Sequence, residues 1–427
     1  MNVAVFGLWH LGSVTAACLA GAGHRVVGLD LDAAVVDELG EGRAPLREPG
    51  LDELIAEGLA SGQLTFTDDP GVALADADVL WVTFDTPVDD EDRADVAWVR
   101  SQLDEVADAL APGTLVLLSS QLPAGFGRDL ADRWAGRGVT VGCSPENLRL
   151  GKAIEVFRDP ERVVVGLDDQ AQRERVHALL APFTDNILWM SLESAEMAKH
   201  ALNAFLATSV TFANELARLC EVTGADAKEV EAALKSEARI GPRAYLSPGA
   251  AFAGGTLARD VRFLQSFGDA GGRATPLLDG VIESNELHRD WARDQLARLL
   301  DRPGDAPVAV LGLTYKPGTS TLRRSGAVGL CRWLDDRGVA IRAFDPAAEV
   351  PEGALPSSLT LAPNAREAVR GARAAVVATP WPEFRDLTAD YLATTMLEPI
   401  VIDEGWSLSG LASDPRITYV APGRPTR

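Results

Sequence analysis

Apolar residues follow two rhythms over the first 190 positions. Short runs rich in Val, Leu and Ala fall at 3–6, 25–29, 79–83, 115–119 and 162–165. Between them apolar positions recur every three or four residues, as over 11–22, closed by Gly23, and 96–110, closed by Pro112 and Gly113. The first rhythm predicts buried strands and the second amphipathic helices. Their alternation implies a mostly parallel sheet covered on both faces. The character changes after Leu188-Trp189-Met190. From Ser191 to about Thr223 there is neither Pro nor Gly and the apolar spacing stays helical. This predicts one helix longer than the globular average, a spine between two domains and a dimer surface. More helical sequence follows to about Leu300, and Arg302-Pro303-Gly304-Asp305 reads as a linker. Strand–helix alternation then resumes at 308–312 and continues through 339–344, 374–379 and 400–403. The predicted fold class is α/β, two doubly wound domains joined by a long central helix. The expected boundaries are 1–190, 191–300 and 301–427.

A chain of 427 residues is too long for one typical core, which agrees with that division. Its formal charge of −22 argues against a nucleic-acid partner, whose phosphates need basic patches. A phosphorylated small substrate stays compatible, because a few arginines and backbone N–H groups suffice to hold one. Cys18, Cys143, Cys220 and Cys331 are far apart and show no zinc spacing, so no metal site is expected and reduced thiols of a cytoplasmic protein are the simplest account. The strand-like start at Asn2 leaves no basic segment followed by an apolar one, so no signal peptide is expected. No apolar run approaches the roughly 20 residues needed to cross a bilayer.

The first strand–helix turn carries candidate chemistry. Gly7-Leu8-Trp9-His10-Leu11-Gly12 stands where a dinucleotide site has G-x-G-x-x-G. In that motif one glycine makes the tight turn, one lets the pyrophosphate approach and one allows helix–strand packing. Trp9 takes the middle place, a departure that predicts crowding of the phosphates or a shifted loop. Asp30, at the end of the next predicted strand, is the acid expected to bind ribose hydroxyls, and no arginine follows to neutralise a 2′-phosphate. NAD is therefore expected rather than NADP. The first domain is read as Rossmann-like, and the strand-then-glycine opening at 308–312 makes the last domain a second one.

Further segments resemble, in order and at near-family spacing, the UDP-glucose/GDP-mannose dehydrogenase family. They are Arg43-Ala44-Pro45-Leu46-Arg47-Glu48-Pro49-Gly50-Leu51, Thr83-Phe84-Asp85-Thr86-Pro87, the turn over 119–125, and Ser144-Pro145-Glu146-Asn147-Leu148-Arg149. Ala195-Glu196-Met197-Ala198-Lys199 through Asn203 to Asn214-Glu215 is similar to the family's central helix, and Arg239-Ile240-Gly241 to its R-I-G motif. Gly312-Leu313-Thr314-Tyr315-Lys316-Pro317-Gly318-Thr319 with Arg323 resembles its C-terminal turn.

The resemblance implies two Rossmann-like domains, NAD on the first, a nucleotide-diphosphate sugar on the last, and oxidation of the sugar's C6 alcohol. It implies Gly7, Trp9, His10, Leu11, Gly12, Asp30, Thr83, Thr86 and Ser119 on the cofactor side. Arg149, Arg239, Lys316 and Arg323 fall on the substrate side, with Arg239 reaching a neighbouring subunit and hence a homodimer. Lys199 and Asn203, four apart and so on one helix face, become the pair that stabilises the developing alkoxide. Asp260 becomes the base or its water relay, and Glu146 the glutamate near that water. The departure lies in Ala253-Gly254-Gly255-Thr256-Leu257-Ala258-Arg259-Asp260, where Thr256 occupies the place of the family's nucleophilic cysteine. A threonine hydroxyl ionises far less readily than a thiol. Leu150 also replaces a glutamate, and Arg239 lies one residue further from this segment than is usual. Cys143 is close enough in sequence to offer a thiol, but a cysteine at a strand end is read as packing. The expectation is a changed or single-step oxidation. The alternatives are a redox-neutral NAD-using enzyme such as a sugar epimerase, and a non-catalytic nucleotide-sugar-binding paralogue.

Overall fold

The computed structural model describes residues 1–89, 93–146, 148–253, 256–300, 306–351 and 353–425. The predicted linker at 302–305, the Gly254-Gly255 pair and Asn147 lie outside the described residues. The chain divides into two compact units, Met1–Ala201 and Leu202–Arg427.

The first unit is built on an eight-stranded sheet of β1 (Asn2–Phe6), β2 (Arg25–Leu29), β3 (Leu64–Thr67), β4 (Val79–Val82), β5 (Leu115–Leu118), β6 (Thr140–Cys143), β7 (Val163–Leu167) and β8 (Ile187–Met190). Its order is β3-β2-β1-β4-β5-β6-β7-β8, and the first six positions follow the doubly wound dinucleotide-binding order. All neighbours are parallel except β6 and β7. The central strands are apolar at every position because successive side chains enter opposite layers. Val3, Val5, Val79, Trp81, Leu115 and Leu117 join one core. Ala4, Phe6, Leu80, Val82, Val116 and Leu118 join the other.

The second unit repeats the plan with β9 (Val308–Leu311), β10 (Ile341–Phe344), β11 (Leu359–Leu361), β12 (Ala374–Val377), β13 (Ile400–Asp403) and β14 (Thr418–Val420). Their order, β11-β10-β9-β12-β13-β14, is the same winding, and all its neighbours are parallel. Val308 and Val310 face one core, Ala309 and Leu311 the other. Ahead of this sheet come the helices Ala227–Ser236, Leu257–Ala270, Pro276–Arg289 and Trp291–Leu299.

The spine helix runs Leu192–Thr223, 32 residues in length and about 48 Å long at 1.5 Å per residue. It stops where Gly224 takes a left-handed φ of 77° and its N–H bonds back to Cys220 O, a terminus that favours glycine. Leu192 and Ala195 enter the core of the first unit. Ala204 and Ala207 pack with Phe252, Ala258, Val261 and Val281 in the second. Alanine on that face lets neighbouring helices approach closely. Among the described residues no helix is long and apolar enough to cross a membrane.

Candidate functional site

The carboxyl edge of the first sheet, where doubly wound folds bind ligands, is held together by its own hydroxyls. Thr83 Oγ1 donates to Phe6 O and Gly7 O, Thr86 Oγ1 to Gln121 O, and Ser119 Oγ to Ser144 O while accepting from Trp81 Nε1. All three residues are buried. Their side chains therefore fix the ends of β4, β5 and β6, and the surface they leave to a ligand is backbone.

The dinucleotide turn fits its motif closely at two of three glycines. Gly7 has φ 92°, and a Cβ there would lie 2.4 Å from the Phe84 ring. A Cβ on Gly12 would lie 1.9 Å from Gly7 O and 2.8 Å from Thr83 Oγ1. The first helix, His10–Gly21, starts here, so its leading N–H groups have no partner within the helix and suit an anion. Trp9 has φ −68°, open to any residue, and its side chain is 48% exposed. The Trp9 side chain is thus half in solvent, at the place where a pyrophosphate would approach the turn. Asp30 accepts from Leu8 N–H at 2.8 Å and Asp32 N–H at 3.1 Å. Each carboxylate oxygen has a second lone pair, which suits a ribose diol. In the second unit the matching acid, Asp345, accepts from Leu313, Thr314, Ala347 and Ala348 N–H, Thr314 Oγ1 and Trp381 Nε1. It is spent on the fold.

Beyond β6 the chain carries Glu146. Its Oε1 is buried and has no hydrogen-bond partner among the described residues. Burial pushes its carboxyl up to about 7, tempered by Lys199 and reinforced by Asp85. Lys199, on the spine helix, donates from Nζ to the Glu146 carbonyl. The first unit thus brings together a carboxyl that exchanges its proton near neutrality and an ammonium group. Cys143, at the end of β6, is buried, and burial with Glu196 nearby holds its thiol well above the usual range. It is a packing residue.

In the second unit Asn203 and Asp260 are buried, and Asn203 Nδ2 donates to Asp260 Oδ2. Asp260 lies in the first turn of the Leu257–Ala270 helix. Thr256 is the N-cap of that helix, is exposed, and makes no side-chain capping bond. The segment leading to it is pinned from two helices. Asn214 Oδ1 accepts from Gly249 N–H and its Nδ2 donates to Ala250 O, and Asn285 pairs with both backbone groups of Phe252. Burial lowers His288 to about 4, so the neutral ring donates from Nε2 to Gly249 O at 2.8 Å. Sequence reasoning left Asn285 and His288 unnoticed, since nothing local marks them.

The remaining candidates are dispersed. Arg149 and Arg323 are exposed and Lys316 is partly buried. Arg239 is on an exposed turn with Nε 3.0 Å from Glu237. Lys316 Nζ sits 5.4 Å over the Tyr315 ring. Among the described residues no group of three or more His, Cys, Asp or Glu is placed to hold a metal ion.

Residues 1–184 match the sequence profile described as the UDP-glucose/GDP-mannose dehydrogenase family, NAD binding domain. Residues 193–287 match that family's central domain, and 309–407 its UDP binding domain. The chain is similar to the UDP-glucose 6-dehydrogenase of Rhizobium meliloti (strain 1021), with 34% identity over 414 residues covering 94% of each protein. It is 33% identical over 421 residues to the UDP-glucose 6-dehydrogenase of Pseudomonas aeruginosa PAO1, covering 94% of this chain and 93% of that one. Among solved structures, a UDP-glucose dehydrogenase from Pyrobaculum islandicum superimposes with a TM-score of 0.87 at 29% identity, over 100% of this chain and 98% of its own.

Proposed function

The chain belongs to the UDP-glucose/GDP-mannose dehydrogenase family, and from that premise we propose that this NAD-dependent oxidoreductase oxidises the C6 alcohol of a nucleotide-diphosphate sugar. One turn of the spine helix carries the reading. It presents Lys199 and, four residues on, Asn203, whose amide donates to the buried Asp260 carboxylate. NAD, when bound at the Gly7–Gly12 turn and Asp30, supplies the hydride acceptor. As the alcohol gives up its proton, negative charge grows on its oxygen, and Lys199 and Asn203 are donors suited to that charge. Asp260 takes the proton directly or through a water. Glu146 exchanges a proton near neutrality, the range in which a general base works best. Arg149, Arg239, Lys316 and Arg323 are offered as the substrate's binding groups. The 1–190, 191–300 and 301–427 division is kept as the functional one.

Oxidation of the aldehyde to a carboxylate needs a nucleophile or a hydrated aldehyde. Thr256 supplies a hydroxyl where the resemblance puts a thiol, and Cys143 is buried. The reading is therefore one oxidation per sugar. We also propose a homodimer, supported by Phe205, Phe212 and Leu219. These stand seven residues apart on one face of the spine helix and are 69%, 52% and 58% exposed. A single chain rarely leaves such a stripe in water, and a second copy of the same helix matches it.

The test supplies NAD with a panel of UDP- and GDP-sugars and counts NADH per sugar consumed. One NADH with a trappable aldehyde supports the reading. Two NADH with a carboxylate overturns the single-step part. An isomerised sugar without net NADH favours a redox-neutral enzyme, and binding without turnover a non-catalytic paralogue.

A further inference from the structure

Glu48 joins two parts of the first unit that the proposed reaction uses separately. Its side chain is 1% exposed. Oε1 accepts from Ala153 N–H at 2.9 Å, and Oε2 from Gly151 N–H at 2.8 Å. Oε2 also lies 3.0 Å from His10 Nε2. A carboxylate holding two backbone amides is an acceptor, so the His10 ring donates to it from Nε2. Hydrogen bonds to an ionised group are stronger than those between neutral groups. This one carboxylate thus sets the position of everything it touches.

On one side it touches the dinucleotide turn. His10 is the first residue of the helix that opens at Trp9, and its side chain is 14% exposed. On the other side it fixes the end of the loop that carries Glu146 and Arg149. Gly151 and Ala153 are held by Glu48, Lys152 N–H bonds back to Arg149 O, and Lys199 holds the Glu146 carbonyl. The loop is therefore tethered at both ends, one tether leading directly to the cofactor turn.

We propose that His10 and Glu48 are positioning residues that make cofactor and nucleotide-sugar binding cooperative, each ligand ordering the shared His10–Glu48–loop unit for the other. The inference rests on the reading above, which puts the dinucleotide on the turn and the sugar nucleotide against the loop. A phosphate bound at the head of the first helix fixes the turn that carries His10, and with it the ring that bonds to Glu48. That bond in turn holds the loop in the form that binds the sugar. By linkage the effect is reciprocal.

The experiment titrates the full-length protein with NADH by its fluorescence, with and without saturating UDP-glucose, a pair that cannot turn over. We expect UDP-glucose to tighten NADH by at least about fivefold, the lower end of measured couplings. In His10→Phe the factor should fall to within twofold of one. In His10→Gln, whose amide can reach Glu48 as Nε2 does, it should persist. Glu48→Gln should behave like His10→Phe. Should it fail to fold, His10→Phe decides alone, since it leaves both backbone amides on Glu48. An unchanged factor in His10→Phe, or no coupling in the natural protein when both ligands bind, overturns the inference and leaves the dehydrogenase reading standing. Failure of the natural protein to bind NADH with any sugar nucleotide overturns that reading, and the inference with it.

Discussion

Replacing Glu146 with glutamine should stabilise the protein above neutral pH and disable it at the same time. In an unfolded chain this carboxyl loses its proton near 4.5, whereas burial raises it to about 7 in the fold. A raised acid costs nothing below the unfolded value, because both states are protonated. The cost grows as pH rises between the two values and is complete above the higher one. A shift of about 2.5 pH units at 1.36 kcal/mol per unit makes the full cost about 3 kcal/mol. Glutamine carries no charge and escapes it. The gain of Glu146→Gln should therefore stay below about 1 kcal/mol at pH 5 and approach about 3 kcal/mol by pH 8. For a unit of roughly 200 residues, 1 kcal/mol moves the thermal midpoint by about 2–4 °C, so the pH 8 shift should be roughly 6–12 °C. Scanning calorimetry of both proteins at pH 5 and pH 8 reads it, on whichever transition belongs to Met1–Ala201. In the natural enzyme kcat/KM should rise through pH 7 as Glu146 loses its proton, and the variant should lose 10²-fold or more of that activity. An equal gain at both pH values, or a loss at pH 8, would refute the reasoning.

Other outcomes follow from the same geometry. Gly12→Ala drives a methyl to 1.9 Å from Gly7 O. It should cost about 1–3 kcal/mol of stability and weaken NADH at least tenfold, read by calorimetry and fluorescence titration. Trp9→Gly should leave the fold intact, since φ −68° needs no glycine, and tighten NADH severalfold by reopening the pyrophosphate's approach. A weaker complex would show instead that the indole contributes to binding. Thr256→Cys puts a thiol at the head of a 14-residue helix, a place that lowers its pKa. NADH per sugar should rise from one to two, and a labelled thiol with the stoichiometry still at one would count against Thr256 as the limit. Phe212→Asp should convert a dimer to monomers by light scattering.

Much of the fold was legible because the central strands are apolar on both faces and their runs stand out. β3, β11 and β14 were missed because they are short and mix buried with exposed positions. β6 was legible only at its last residue, Cys143, because Thr-Val-Gly-Cys has little apolar signal. The spine helix was predicted to within a residue, since a stretch without Pro or Gly leaves no place to stop before Gly224. In the candidate site, the Lys199–Asn203 spacing could be read from helical periodicity. The Asn203–Asp260 bond spans 57 residues and the Glu48–Ala153 bond 105, and neither leaves a local trace. At Trp9 the sequence shows a bulky side chain at a motif glycine, and only the structure shows that its φ of −68° is one any residue adopts.

The spine helix also decides how this protein can be taken apart. The division between its compact units falls between Ala201 and Leu202, within a continuous helix. A fragment ending at residue 190 would keep all eight strands of the first sheet yet expose the core that Leu192 and Ala195 fill. It would leave the Gly125 and Gly127 amides without the Glu196 carboxylate and Leu122 O without His200. The smallest N-terminal piece expected to fold ends at or after Ala201. Recombination that swaps this unit between relatives should cut there, in mid-helix, where sequence comparison alone would place the seam at the last strand.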